Sequence, residues 1–140
     1  MSQQSLLYPV FAQIALTFAL LVWTAYARVS ALRRKEVRMA DIALGQNAWP
    51  DRPTQIARSF QNQLEAPLLF YALVAFALIA AKADAVLVAM AWGFVGLRYV
   101  HAAIHVTHNN VQTRFYAYLA GVLILIAMWV RFAAQILAQG

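Results

Sequence analysis

The sequence contains no cysteine and very little charge. Without cysteine, disulfide bonds and thiolate metal sites are excluded. Charged residues make up 11% of the 140 residues, whereas soluble globular chains carry roughly 25%. So few charges cannot cover a water-facing surface, and the composition therefore excludes an ordinary soluble domain.

Apolar residues make up 64% of the chain, and they are concentrated in long runs. A helix rises about 1.5 Å per residue, so about 20 apolar residues cross a hydrocarbon core of about 30 Å. The pattern predicts one all-α, four-span transmembrane domain over residues 1–140. The expected helices cover about 6–27, 54–81, 85–105 and 113–137, with a polar loop at 28–53.

The positive charge is unevenly distributed along the chain. Seven of the eleven Lys and Arg residues lie between Arg28 and Arg58, beside the first apolar run. This distribution argues against a nucleic-acid partner and favours contact with anionic head groups of the cytoplasmic leaflet. We therefore expect membrane lipids as partners, loop 28–53 in the cytoplasm, and both termini on the non-cytoplasmic side.

Polar side chains interrupt the apolar helices at one membrane level. On the second helix, Arg58, Asn62 and Glu65 are spaced i, i+4, i+7 and so share one face. The third helix and the start of the fourth add Arg98, His101, His105, His108, Arg114 and Tyr118. Each charge at mid-membrane costs roughly 2.5–3.5 kcal/mol, so such groups are usually paired or functional. We therefore expect Glu65 to pair with Arg98.

Three interpretations of these polar residues are open from the pattern alone. The first is a salt-bridge network that only fixes helix packing. The second is a pocket, open to the cytoplasm, for a small anionic ligand, and the planar fork of arginine favours it because it binds both carboxylate oxygens. The third is a metal site built from His101, His105, His108 and Glu65, although three nearby arginines would repel a cation. We predict no metal.

The same residues resemble the pattern of the MAPEG family, the membrane-associated proteins in eicosanoid and glutathione metabolism. The resemblance rests on Arg58-x-x-x-Asn62-x-x-Glu65, Arg98-x-x-His101-x-x-x-His105 and Arg114-x-x-x-Tyr118, in this order along the chain. It implies a homotrimer of four-helix subunits that bind glutathione between neighbours, near the cytoplasmic face. Gln61, His105 and Phe115 differ from the residues that some members have at these positions.

The resemblance also implies a site and an activity. Arg114 falls where the family keeps the catalytic arginine that stabilises the thiolate of glutathione, the co-substrate. The residues expected to bind glutathione are Arg58, Asn62, Glu65, Arg98, His101, His105 and Tyr118. The implied function is a glutathione transferase or peroxidase-type enzyme in a bacterial inner membrane, acting on an apolar small-molecule electrophile. The alternative is a non-catalytic trimeric membrane protein that binds lipid or another anionic ligand in the same pocket.

Overall fold

The computed structural model describes residues 3–45 and 47–138, and this part of the chain contains helices and no strand. After a 3₁₀ turn at Gln3–Leu6, the helices are α1 (Leu7–Arg33), α2 (Met39–Ile42), α3 (Asp51–Asn62), α4 (Ala66–Ile79), α5 (Ala85–Val106) and α6 (Val111–Leu137). Four segments of the described chain have the length and apolar composition of a membrane span: α1, α3 with α4, α5 and α6. The predicted all-α, four-span architecture is confirmed.

The basic loop is shorter than the sequence predicted. α1 continues past 27 to Arg33, so its last turn extends the helix into the charged region. Within the loop, an ion pair spans the start of α2: the guanidinium of Arg38, the residue before the helix, donates to both carboxylate oxygens of Asp41 at 2.9 and 3.0 Å. The side-chain hydrogen bond from Arg38 holds the pKa of the Asp41 carboxyl below its usual value.

The helix predicted at 54–81 is divided in two. α3 ends at Asn62 and α4 begins at Ala66, with residues 63–65 as a turn between them. Pro67 accounts for the break, because proline has no N–H to donate to the carbonyl of Gln63 and its ring clashes with that carbonyl in a continuous helix. Proline is tolerated in the first turn of a helix, and Pro67 lies there in α4.

The apolar core lies toward the end of the bundle that contains the N-terminal turn. Phe70 of α4 stacks on Phe94 of α5, with 4.9 Å between the ring centroids. Leu6, Leu73 and Met128 are fully buried in the same cluster. In lipid, close packing and interhelical hydrogen bonds hold helices together. The other half of the bundle is packed by a smaller buried cluster of Leu16, Leu20, Ala102 and Val106.

A polar cluster ties the α4–α5 turn to the far end of α6. Asp84 accepts a hydrogen bond from the backbone N–H of Leu87 at 2.8 Å and so caps α5. The same carboxylate pairs with Arg131 and accepts from Gln135 Nε2 at 2.8 Å. The hydrogen bond from Arg131, the largest influence, holds the pKa of Asp84 below its usual value.

Replacing Asp84 by asparagine is expected to lower the melting temperature in detergent at neutral pH. Asparagine keeps the capping oxygen but loses the charge that pairs with Arg131. A carboxyl with a lowered folded pKa stabilises the protein above its unfolded pKa of about 3.9 and loses that contribution as the pH falls through the folded pKa. The gap between wild type and Asp84→Asn should therefore close below about pH 4.

The Asp84→Ala variant is the control, because it removes the cap as well as the charge. It should lower the free energy of unfolding by about 1 kcal/mol more than Asp84→Asn does, at every pH, because neither replacement titrates. A gap between wild type and Asp84→Asn that is the same at acidic and neutral pH would mean that the ion pair does not stabilise the protein.

Candidate functional site

A buried amide, Gln63, occupies the break between α3 and α4. Its Oε1 accepts from Nε2 of Gln13 in α1 at 3.0 Å and from Nη2 of Arg98 in α5 at 3.3 Å. Its Nε2 donates to the carbonyl of Ser59 at 3.1 Å. The backbone hydrogen bonds of α3 end here, and side-chain hydrogen bonds from Gln63 to α1 and α5 replace them. These bonds fix the backbone between Asn62 and Glu65.

Arg98 lies inside the bundle with 2% of its surface exposed. Its Nη2 donates to the carbonyl of Asn62 at 2.8 Å, and its guanidinium carbon is 5.9 Å from the ring centroid of Tyr118. Among the residues the structure describes, no ion pair joins Arg98 to Glu65, so the expected pair is not formed. The α3–α4 break explains the difference, since it leaves Glu65 exposed while Arg98 binds a backbone carbonyl.

A cavity of about 730 Å³ lies between α3 and the α5–α6 turn; we call it the large cavity. Its lining residues are Asp51, Thr54, Gln55, Arg58, Gln61, Asn62, Glu65, His105, Asn109, Val111 and Arg114. The three polar residues predicted to share a face of the second helix therefore open into one space, with His105 and Arg114 across it. Arg98 does not line this cavity, so two of the three predicted arginines meet there.

The charges around the large cavity are mixed. Arg58 and Arg114 are cations, whereas Asp51 and Glu65 are carboxylates. Such a lining complements a ligand that carries both carboxylates and an ammonium group better than a simple polyanion. The volume falls in the range of small-molecule sites, about 300–1,000 Å³.

A second cavity, of about 230 Å³, adjoins the first; we call it the small cavity. Asn62, Val111 and Arg114 line both cavities, and His101, Phe115 and Tyr118 line only the small one. Phe115 is half exposed at the rim of the small cavity. Arg114 is therefore the one cation among the described lining residues that reaches both spaces.

The α5–α6 turn positions Arg114. Asn110 caps α6, because its Oδ1 accepts from the backbone N–H of Thr113 at 3.0 Å. Asn109 has a left-handed backbone (φ 51°), and its Oδ1 accepts a hydrogen bond from Nη1 of Arg114. Gln55 of α3 donates to the carbonyl of His105 at 2.6 Å and so joins the end of α5 to the opposite wall of the large cavity.

Three aromatic rings form a row from one cavity to the other. The ring centroids of His105 and His101 are 5.7 Å apart, and those of His101 and Tyr118 are 5.8 Å apart. His108 lies outside this row, in the turn, where its Nδ1 accepts from the backbone N–H of Asn110 at 3.2 Å. Within residues 3–45 and 47–138, no group of three His, Asp or Glu side chains converges as metal ligands would.

Sequence reasoning missed the residues that position the site. Gln13 is a lone amide within the first apolar run. A polar side chain that faces lipid has no hydrogen-bond partner, so an amide at this position indicates a partner in another helix. Gln63 lies within the polar stretch itself but is followed by apolar residues. The sequence predicts a loop at Asp51 and the start of a helix at Gln55, and no periodicity there distinguishes a lining residue from a solvated one.

The MAPEG family model matches residues 6–134 of the 140-residue chain, a range that includes every residue that lines the two cavities. The chain belongs to the MAPEG family. No individual curated protein and no solved structure matches the chain significantly. As a MAPEG member, it is an integral membrane protein with the four-helix bundle of a family that acts in glutathione and eicosanoid metabolism.

Proposed function

We propose that this MAPEG protein is a membrane-bound glutathione transferase or peroxidase-type enzyme that joins glutathione to an apolar electrophile. The observation that carries the proposal is the position of Arg114, which lines both a large polar cavity and a smaller cavity with Phe115 at its rim. In this proposal the peptide lies in the large cavity and the electrophile reaches the small one from the membrane.

The mixed charge of the large cavity supports a glutathione-sized ligand. Glutathione is a tripeptide with two carboxylates and one ammonium group. Arg58 offers a bidentate partner for a carboxylate, and Glu65 or Asp51 offers one for the ammonium. Asn62 and Gln61 supply amide donors and acceptors for the peptide groups. Arg98 acts indirectly, because it holds the Asn62 carbonyl at 2.8 Å.

Arg114 would stabilise the thiolate. A free cysteine thiol has a pKa of about 8.5, and a neighbouring fixed cation lowers it, so that more of the nucleophile is ionised at neutral pH. The sulfur lone pair then forms the new bond to the electrophilic carbon. The bonding pair leaves with the leaving group or with an opened epoxide oxygen, which takes up the proton that the thiol released.

The exposed charges of the bundle favour a covering partner subunit, and the family resemblance implies that the assembly is a homotrimer. Arg58 and Glu65 are exposed on a segment of membrane-span length, where lipid would leave them without partners. A neighbouring subunit would cover them and close the large cavity, as the family resemblance implies. The basic loop favours a bacterial-type inner membrane orientation with 28–53 in the cytoplasm and both termini outside.

Glutathione binding to purified protein in detergent tests the proposal. Glutathione is expected to raise the melting temperature, because a ligand that binds only the folded state stabilises it by about 2.7 kcal/mol at a hundred times its Kd. Blocking the ammonium by N-acetylation should weaken binding, and so should Arg58→Gln. S-methylglutathione should still bind through its carboxylates and ammonium, but less tightly than glutathione, because it cannot form the thiolate that Arg114 stabilises.

Lys82→Gln is the control for Arg58→Gln. Lys82 lies in the α4–α5 turn, at the opposite end of the spans from the large cavity, so its loss removes one positive charge far from the ligand in every subunit. A protein that millimolar glutathione does not stabilise would favour the non-catalytic alternative, a trimer that binds lipid or another anion.

A further inference from the structure

A groove of about 280 Å³ lies between the basic end of α1 and the start of α3, separate from both site cavities. The residues that line it are Trp23, Tyr26, Ala27, Ser30, Ala31, Arg34, Glu36, Pro50, Arg52, Pro53 and Ile56. None of these residues lines the large or the small cavity. The groove is therefore a separate space from the two cavities of the proposed site.

The groove changes character along α1. Trp23, Tyr26, Ala27, Ser30 and Arg34 recur at helical spacing and share one face. From Trp23 to Arg34 the helix rises about 16 Å, roughly half the thickness of the hydrocarbon core. The groove is thus aromatic and apolar at its membrane end and cationic at its outer end, which is the arrangement of an acyl chain below a charged head group.

The charges at the outer end favour an anion. Arg34 is exposed, and its one ion pair among the described residues is a long one, 4.0 Å to Glu36. The guanidinium of Arg52 lies 5.4 Å from the ring centroid of Trp23 and donates to Gln55 and to the carbonyl of Val106. Two cations therefore face one carboxylate, and Arg34 keeps most of its donors free.

We propose that this groove binds an anionic phospholipid. The phosphate lies between Arg34 and Arg52, and the upper part of one acyl chain packs along Trp23, Tyr26 and Ile56. Arginine forms charge-assisted bonds to phosphate oxygens with its planar fork, and aromatic side chains at this depth favour the membrane interface. A zwitterionic head group would bring an ammonium toward the same arginines, so the groove prefers an anionic lipid.

Quenching of Trp23 fluorescence by brominated lipids tests the proposal in nanodiscs. Brominated phosphatidylglycerol and brominated phosphatidylcholine are compared at equal mole fractions, and the Trp23→Phe variant supplies the signal of the other tryptophans. We expect phosphatidylglycerol to quench Trp23 more strongly. Arg34→Gln should lower that preference about fivefold, because one basic residue near an anionic surface contributes about that factor. Glu36→Gln should raise the preference.

Arg33→Gln is the control for diffuse attraction, since Arg33 carries the same charge next to Arg34 but does not line the groove. It removes the diffuse attraction alone, so it should lower the preference of Trp23 for phosphatidylglycerol clearly less than Arg34→Gln does. The proposal is overturned if the two brominated lipids quench Trp23 equally, or if Arg33→Gln lowers the preference as much as Arg34→Gln does. All of these variants replace exposed side chains, so folding does not obscure the result.

Discussion

Replacing Arg114 by alanine is expected to lower glutathione-dependent turnover about a hundredfold, because a single donor aimed at developing negative charge contributes a factor of that order. Arg114 lines both cavities, and in the proposed function the sulfur and the electrophile would meet there. The ultraviolet absorbance of bound thiolate at neutral pH, measured with the turnover rate, checks the result. Both should fall together in Arg114→Ala.

Two further variants distinguish the effect of the positive charge at residue 114 from the effect of the hydrogen bond that holds Arg114 in place. Arg114→Lys keeps a cation but loses the planar fork, so it should retain part of the thiolate absorbance. Asn109→Gly removes the oxygen that holds Arg114 and keeps the left-handed backbone, for which glycine is suited. It should lower glutathione-dependent turnover far less than Arg114→Ala does. Undiminished thiolate absorbance in Arg114→Ala would refute the role of this arginine, whatever the rate.

Gln63→Leu is expected to lower the stability of the bundle by about 3 kcal/mol, the upper range for a hydrogen bond to a charged group. Leucine has a similar volume but no acceptor, so the buried guanidinium of Arg98 keeps only the carbonyl of Asn62. Nε2 of Gln13 loses its partner as well. Unfolding in a denaturing detergent measures the loss of stability.

A matched control lies two residues away. Gln61 has the same chemistry but is exposed, so Gln61→Leu should change stability by less than about 0.5 kcal/mol. The double variant Gln63→Leu with Arg98→Leu should lose less than the sum of the two single variants, because the second change removes the orphaned charge. Strict additivity would show that these two side chains do not stabilise each other.

The predicted residues differ in how well the pattern located them. Arg58 and Asn62 line one cavity from a shared face of α3, as their i, i+4 spacing predicts, and Glu65 lines the same cavity although the helix break separates it from Asn62. Arg98 has the same kind of spacing relative to His105, yet it lies buried among backbone and amide groups. Periodicity identifies a shared helix face, but it does not show how far each side chain is from the edge of that face.

The sequence by itself determined that the chain crosses the membrane four times, because a long apolar run with few charges has one low-energy environment. It also indicated the family, because the motifs around Arg58, Arg98 and Arg114 resemble the MAPEG pattern in the same order, and the family model over residues 6–134 confirms this. Only the tertiary structure decided which arginines share a cavity. That choice depends on the break before Pro67 and on Gln13 reaching Gln63 from another helix, and contacts between distant segments leave no periodic signal in the sequence.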